Sequence, residues 1–455
     1  MRSAGILLPI FSLPSKYGIG SFSKEAYEFI DFLAESGQKY WQILPLGPTG
    51  YGNSPYQSFS TFAGNPYFID LESLHQYISK EEIDSYDWSG NPDYINYDKV
   101  SRNKLDLLKK AFERFDVSNH DFGMFCIYQA YWLDGYANYM ARKEWQDPNL
   151  YKFHQYIFYN QWKNVKSYAN SKGIEIIGDL PIYVSLDSSD VCDNPELFKL
   201  DWNGSPSAVA GCPPDDFSDN GQIWGNPLYN WDVHRQTGFK WWIERIRYCF
   251  ELFDVVRIDH FRGLYDYFSI PYGDNTARNG HWEMGPGMDL FNAIRYELGD
   301  VKMIAEDLGM LSPGVIDLLK DTGFPGMKIL HFAFNGGKDN PYLPENISEN
   351  YVVYPGTHDN DTTIGWYNKA SNWEREHFRS YVGDGVVHWK MIELAMSTRA
   401  NMCIIPIQDY LGLGDNARIN KPSTIGDNWD WRMREIPCIE LAHYIRHLTE
   451  KYNRR

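Results

Sequence analysis

The sequence predicts an α/β protein, a parallel (β/α)8 TIM barrel with insertion subdomains at the C-terminal face of the barrel. Three observations carry this. Eight short apolar runs read as buried strands, amphipathic helical patterns lie between them, and most of the runs end in polar residues, chiefly carboxylates. Alternation of strand and helix repeated eight times is the pattern of a closed parallel sheet, whose chemistry sits at the C-terminal strand ends.

The predicted strands are Gly5–Phe11, Tyr40–Leu46, Glu175–Val184, Val255–Phe261, Lys302–Leu308, Met327–Phe332, Tyr351–Thr357 and Met402–Tyr410. Between the first two, Ala26, Phe29, Ile30, Leu33 and Ala34 recur at helical spacing, with Gly37 as the stop. Leu290, Ile294 and Leu298 mark a helix before the fifth strand. Ser312-Pro313 opens another as N-cap and first helical residue, and Gly323 closes it. Val387, Met391, Leu394 and Ala395 precede the eighth strand. The spacing is uneven. Residues 48–174 form a mostly helical insertion with aromatic-rich loops, and residues 185–235 form a loop-rich one rich in Pro, Gly, Asp and Asn. With no repeat or linker, the whole chain, 1–455, reads as a single catalytic barrel domain in which the insertions decorate one end.

Composition narrows the function. A net charge of −17 argues against nucleic acid or an anionic membrane as the main partner. Aromatic residues make up 16%, and flat faces with polar edges suit sugars, although a large aromatic core accounts for many of them. The six cysteines, Cys126, Cys192, Cys212, Cys249, Cys403 and Cys438, are scattered without a CxxC pair, so neither a zinc site nor a disulfide framework is indicated. The apolar N-terminal run is broken by Pro9 and Pro14, which reads as a first strand and not a signal peptide, and no run reaches membrane-spanning length. A cytoplasmic protein with no metal and no cofactor is the expectation.

The chemistry concentrates in three stretches, Val256–Gly263, Ile304–Gly309 and Gly356–Asn360. Strand alternation puts Arg257 and Asp259 on one face and Val256 and Ile258 on the other. A carboxylate beside a guanidinium at a buried strand end can be a structural ion pair. Three such carboxylates converging on one mouth repel, which is tolerated mainly where chemistry needs it. Two carboxylates in different environments divide labour on a glycosidic bond, one ionised and attacking, the other protonated and donating. Arg257 is expected to keep Asp259 ionised, and the apolar neighbours Ile304, Ala305 and Leu308 to keep Glu306 protonated. Asp359, flanked by His358, is placed to grip sugar hydroxyls as the ring distorts.

These stretches resemble the signature regions of the amylomaltases, the 4-α-glucanotransferases of glycoside hydrolase family 77, related to the α-amylase superfamily. The resemblance extends through Pro48–Gly52, Ser54–Gln57, Ala63–Pro66, Gly178–Ile182, Gly221–Pro227 and Leu411–Gly414, essentially the whole chain. It implies Asp259 as nucleophile, Glu306 as general acid/base and Asp359 as transition-state stabiliser, supported by Arg257 and His358. It further implies that Asp179 holds a sugar hydroxyl or neighbouring polar groups, that His260 contacts a donor-side sugar, that Tyr56, Asn65, Trp224 and Phe217 lie along the glucan groove, and that Tyr51 belongs to a second glucan site. The implied substrates are α-1,4-glucan donors and maltooligosaccharide or glucose acceptors. No starch-binding extension of the kind some relatives carry precedes the barrel, so grip on long glucans is expected from the catalytic domain. Two departures stand out. Asp216, in the loop Gly211–Ser218 that resembles the family's cleft-covering loop, stands where an aromatic is usual, and Ser423 stands where glycine is usual. Carboxylates alone also fit an α-amylase-like hydrolase, and a glucan-binding protein without turnover is a rival of another class. A metal-dependent barrel hydrolase fits poorly, since HExxH is lacking and Arg257 would oppose a cation.

Overall fold

The computed structural model describes residues 2–50, 52–214, 219–309 and 311–455. Twelve strands follow in chain order: β1 (Ser3–Leu7), β2 (Tyr40–Gln42), β3 (Glu175–Leu180), β4 (Ala208–Cys212), β5 (Gln222–Pro227), β6 (Val255–Ile258), β7 (Asp266–Pro271), β8 (His281–Met284), β9 (Met303–Ala305), β10 (Gly326–Ile329), β11 (Tyr351–Tyr354) and β12 (Met402–Pro406). Eight of them form a parallel sheet in the order β10-β11-β12-β1-β2-β3-β6-β9. These are the eight runs predicted from sequence. Its two end strands meet, since the Ala305 N–H donates to Pro325 O at 2.9 Å and the Met327 N–H donates to Asp307 Oδ1 at 2.6 Å. The barrel is therefore closed at this seam by one backbone bond and one carboxylate rather than by a full ladder.

Each predicted strand is shorter than expected at its C-terminal end. Proline explains most of this, because it donates no ladder hydrogen bond. Pro9, Pro45, Pro181, Pro355 and Pro406 all stand at or just past a strand end. Where the sequence suggested one strand over 402–410, β12 gives way to a helical turn, Ile407–Tyr410.

The second insertion departs further from expectation. Residues 185–235, read as loop-rich, contribute β4 and β5, which join β7 and β8 in an antiparallel sheet ordered β5-β4-β7-β8. Periodicity missed these strands because they pack only a small core, Val209, Phe268, Ile270 and Ala277, and β8 is largely exposed. Residues 48–174 are helical from Tyr97 onward, ending in the long helix Pro148–Ser171.

The barrel interior is layered. Leu7, Ile177, Val255, Ile304, Met327, Ile329, Val352, Tyr354 and Ile404 fill its lower part. Two residues further along three of these strands the same inward face turns charged, at Asp179 above Ile177, Arg257 above Val255 and Glu306 above Ile304. Buried Gln42 and Tyr354 mark the boundary, the tyrosine hydroxyl donating to Gln42 Oε1 at 2.8 Å.

Candidate active site

Asp259 and Glu306 follow directly from paired strands. Ile258 is in register with Ala305, so the next residue on each strand is a carboxylate, and the Glu306 N–H donates to Ile258 O at 3.0 Å. The chain then turns sharply. His260 takes a left-handed conformation with φ of 51°, which aims its backbone N–H at Glu306 Oε2, 2.7 Å away. The Leu308 N–H donates to the other oxygen at 3.2 Å. These bonds favour a carboxylate, yet Glu306 is pushed up to about 8, because burial outweighs everything else; Arg257 opposes the shift and Asp259 adds to it. The expectation of a protonated Glu306 at neutral pH agrees with this.

Arg257 serves two acids unequally. Its Nη1 lies 2.7 Å from both oxygens of Asp179, a fully buried side chain, while its Nη2 lies 3.1 Å from Asp259 Oδ1. Burial raises Asp259 above the ordinary aspartate value, Arg257 pulls it down, and Asp359 pushes it further up. Arg257 thus favours the ionised form of Asp259 but is outweighed by burial, and most of its hydrogen bonding is committed to Asp179.

From Asp179 a polar chain crosses the barrel mouth. The Tyr56 hydroxyl donates to Asp179 Oδ2 at 2.7 Å and lies 2.8 Å from His358 Nε2. The two rings stack, 5.5 Å apart and 12° from parallel. His358 Nε2 is also 3.3 Å from Asp359 Oδ2. Burial lowers His358, which favours the neutral ring, while Asp359 opposes the shift. Asp359 Oδ1 accepts from Asn420 Nδ2 at 2.6 Å.

The structure therefore brings Asp259, Glu306, Asp359, Arg257, Asp179, Tyr56, His358 and His260 into one network. Trp224 joins at its edge, with its ring against His260 at 4.9 Å and 88°, and burial pulls the His260 imidazole down to about 4. Asn65 is placed elsewhere. It is buried, its Oδ1 accepts the Tyr67 N–H at 3.0 Å to cap a 3-10 turn, and it lines a 640 Å³ cavity with Thr49, Tyr67 and Tyr86. The cap is a local job that its Asn-Pro sequence could have signalled. Phe217, Asp216 and Tyr51 lie outside the described residues.

Sequence reasoning missed two supports. Gln57 Nε2 donates to Asn226 Oδ1 at 3.1 Å and to Trp224 O at 3.4 Å, tying the Tyr56 segment to β5. Arg418 and Asn420 approach Asp359 from the segment beyond β12. Nothing in the spacing of Arg418 and Asn420 pointed to Asp359, 59 and 61 residues away.

Comparison with known proteins agrees with this geometry. The family model described as 4-alpha-glucanotransferase, Glyco_hydro_77, matches residues 8–149 and 142–438. A 4-alpha-glucanotransferase of Clostridium butyricum is 46% identical over 484 residues, covering 98% of this chain and 99% of that protein. One from Streptococcus pneumoniae is 45% identical over 497 residues, covering 100% of this chain and 97% of that protein. Among solved structures, an amylomaltase from Streptococcus agalactiae in complex with acarbose superposes with a TM-score of 0.96 at 39% identity, covering 100% of both chains.

Proposed function

The chain belongs to the 4-alpha-glucanotransferases of glycoside hydrolase family 77, and from that premise we propose that it moves a segment of an α-1,4-glucan to the 4-hydroxyl of an acceptor glucan or glucose by a retaining double displacement. Asp259 attacks the anomeric carbon while Glu306 gives its proton to the departing 4-oxygen. The glycosyl group then rests on Asp259 as an ester. Glu306, now ionised, takes the proton of the acceptor 4-hydroxyl as that oxygen displaces Asp259. Asp359 holds hydroxyls of the distorting ring.

The observation that carries this reading is the pairing of Glu306, at about 8, with Asp259 beside Arg257 on the next strand. Glu306 is held protonated near neutral pH, while at Asp259 Arg257 opposes the upward push of burial, a difference in the direction of the division of labour the two steps require. Neighbouring strands lie about 4.8 Å apart. That spacing favours the roughly 5 Å separation of retaining enzymes over the wider inverting one. That the Streptococcus agalactiae amylomaltase was solved in complex with acarbose supports a saccharide-like ligand for this chain.

The test is the product series from pure maltotriose with reducing ends counted. Glucose plus longer maltooligosaccharides at constant reducing ends is the expected result. Rising reducing ends with only glucose and maltose would make the protein a hydrolase. Intact-mass detection of a glycosyl adduct formed from α-maltosyl fluoride, whose leaving group needs no proton, on a Glu306→Gln variant, absent when Asp259 is also replaced, tests the covalent step.

A further inference from the structure

Asp359 does the most delicate part of this chemistry from the least supported place. It lies beyond the end of β11, with its side chain 41% exposed, and its backbone N–H has only a 3.3 Å bond to Thr357 Oγ1. Packing alone does not fix its orientation. The segment 418–429 does. Asn420 Nδ2 donates to Asp359 Oδ1 at 2.6 Å, and Arg418 Nη2 donates to the Asp359 carbonyl at 2.6 Å. Both donors are themselves held. The Asn420 N–H donates to His358 O at 3.0 Å, and the Asn420 carbonyl accepts from Arg418 Nε at 2.6 Å. Arg418 also pairs with Asp361, which in turn meets Lys369.

The segment is stiff. The Lys421 N–H donates to Asn428 Oδ1 at 2.8 Å, and the Trp429 N–H donates to Ile419 O at 2.7 Å, closing the loop on itself. Three non-glycine residues in seven, Ser423, Asp427 and Trp429, sit at positive φ, 64°, 50° and 63°. Such backbone persists only where its surroundings over-determine it. Trp429 then packs on both Tyr56 and His358, with ring centres 5.8 and 6.1 Å away. One side of the Asp359 carboxylate is thereby held by Asn420 and the other approached by His358.

We propose that Asn420, braced by Arg418, is a positioning residue that aims the Asp359 carboxylate for the transition state. This rests on the reading of Asp359 as the stabilising acid. A carboxylate only accepts, so Asn420 must present its NH2 group, and the bond both orients Asp359 and keeps it an acceptor toward sugar hydroxyls. Misplacing such a group by about 1 Å costs about 100-fold in rate.

The experiment is maltotriose disproportionation by Asn420→Ala, Asn420→Asp and Asp359→Asn variants between pH 5 and 8, with thermal melts to confirm folding. The charged and titratable groups around Asp359 are His358, Arg418, Asp361 and Asp259, with Arg257 and Asp179 behind, and all are common to the Asn420 variants. Asn420→Ala is expected to lose about 100-fold in kcat with KM little changed. Asn420→Asp, nearly isosteric, sets two carboxylates face to face at neutral pH and is expected to lose at least as much. On lowering the pH one proton shared by the pair restores a donor, so its activity relative to wild type should rise, while the Asn420→Ala ratio stays flat. Wild-type kcat in Asn420→Ala, a loss confined to KM, or an Asn420→Asp ratio that ignores pH would overturn the proposal. Asp359→Asn separates the two claims: if it turns over normally, the role assigned to Asp359 fails; if it is inactive while Asn420→Ala is normal, only the positioning role fails.

Discussion

The Tyr56 hydroxyl stands 2.7 Å from Asp179 Oδ2 and 2.8 Å from His358 Nε2, and this fixes which nitrogen of the histidine carries the proton. The hydroxyl has one hydrogen, and Asp179, held by Arg257, accepts it. Toward His358 the tyrosine oxygen must therefore accept, so Nε2 is protonated. The same Nε2–H faces Asp359 Oδ2 at 3.3 Å, and the bare Nδ1 is buried without a hydrogen-bond partner among the described residues. Tyr56 thus links Asp179, which shares Arg257 with Asp259, to His358 beside Asp359.

Tyr56→Phe should accordingly weaken both ends. Asp179 keeps Arg257 but loses a donor, and the His358 N–H is left with Asp359 alone. A loss of about 1–3 kcal/mol in folding stability is expected from the unpaired buried groups. A misaimed Asp359 should add a fall in kcat of about tenfold or more, the equivalent of about 1.4 kcal/mol. Urea unfolding and maltotriose kinetics on one preparation would check both, and an unchanged kcat would show that the tyrosine has no part in aiming the site.

Glu306 predicts the alkaline limb. Its pKa is raised from 4.5 to about 8, so the acid is protonated, and able to donate, below about 8. Activity should fall as pH rises through that value, a limb that belongs to the Asp259–Glu306 pair because the two titrate together. Stability has the same sign. A carboxyl whose folded pKa is raised binds its proton more tightly in the native state, so its contribution is full below about 4.5 and is lost as pH climbs to about 8. Glu306→Gln should abolish turnover and flatten the dependence of the urea midpoint on pH across that window. A slope that persists in the variant would assign it to another group.

The barrel and its three carboxylates were legible in the sequence because both rest on local pattern. Inward residues alternate along each strand, and Val255, Arg257 and Asp259 announce one face at a period of two. Partnership across the chain was not legible. Arg257 sits beside Asp259 in sequence, which suggested a private pair, yet register with β3 places Asp179 opposite it and gives that acid the shorter contacts. The cap made by Asn65 was readable from its Asn-Pro sequence. The antiparallel sheet of β4, β5, β7 and β8 has too small an apolar face to leave a period. The bond from Asn420 to Asp359 joins residues 61 apart through a loop whose shape depends on strained backbone and not on residue type.

Ser423 makes that strain measurable. Its φ of 64° lies in the left-handed region, where a side chain costs about 1–2 kcal/mol and glycine costs nothing. Glycine also frees the unfolded chain, at about 0.4–1 kcal/mol. Ser423→Gly should therefore gain up to about 1 kcal/mol, seen as a higher urea midpoint. Ser423→Val, which tolerates positive φ poorly, should lose stability. A destabilised glycine variant would mean that the serine is held by contacts that outweigh its backbone.

The barrel seam offers the last test, because one residue there touches both the fold and the chemistry. Asp307 is buried, and its Oδ1 accepts the Met327 N–H at 2.6 Å where the sheet lacks a ladder. Gly326 leaves room for it, since a Cβ there would come within 2.7 Å of the carboxylate. Asp307 also follows Glu306 directly, and its negative charge adds to the upward shift of the general acid. The two roles separate by substitution. Asp307→Ala orphans the Met327 N–H and should cost about 1–3 kcal/mol. Asp307→Asn keeps an oxygen to accept that bond, so most of the stability should remain. Both remove the charge, so in both the alkaline limb of activity should move to lower pH. A limb that stays in place in Asp307→Asn would show that the Asp307 charge has no part in holding Glu306 protonated.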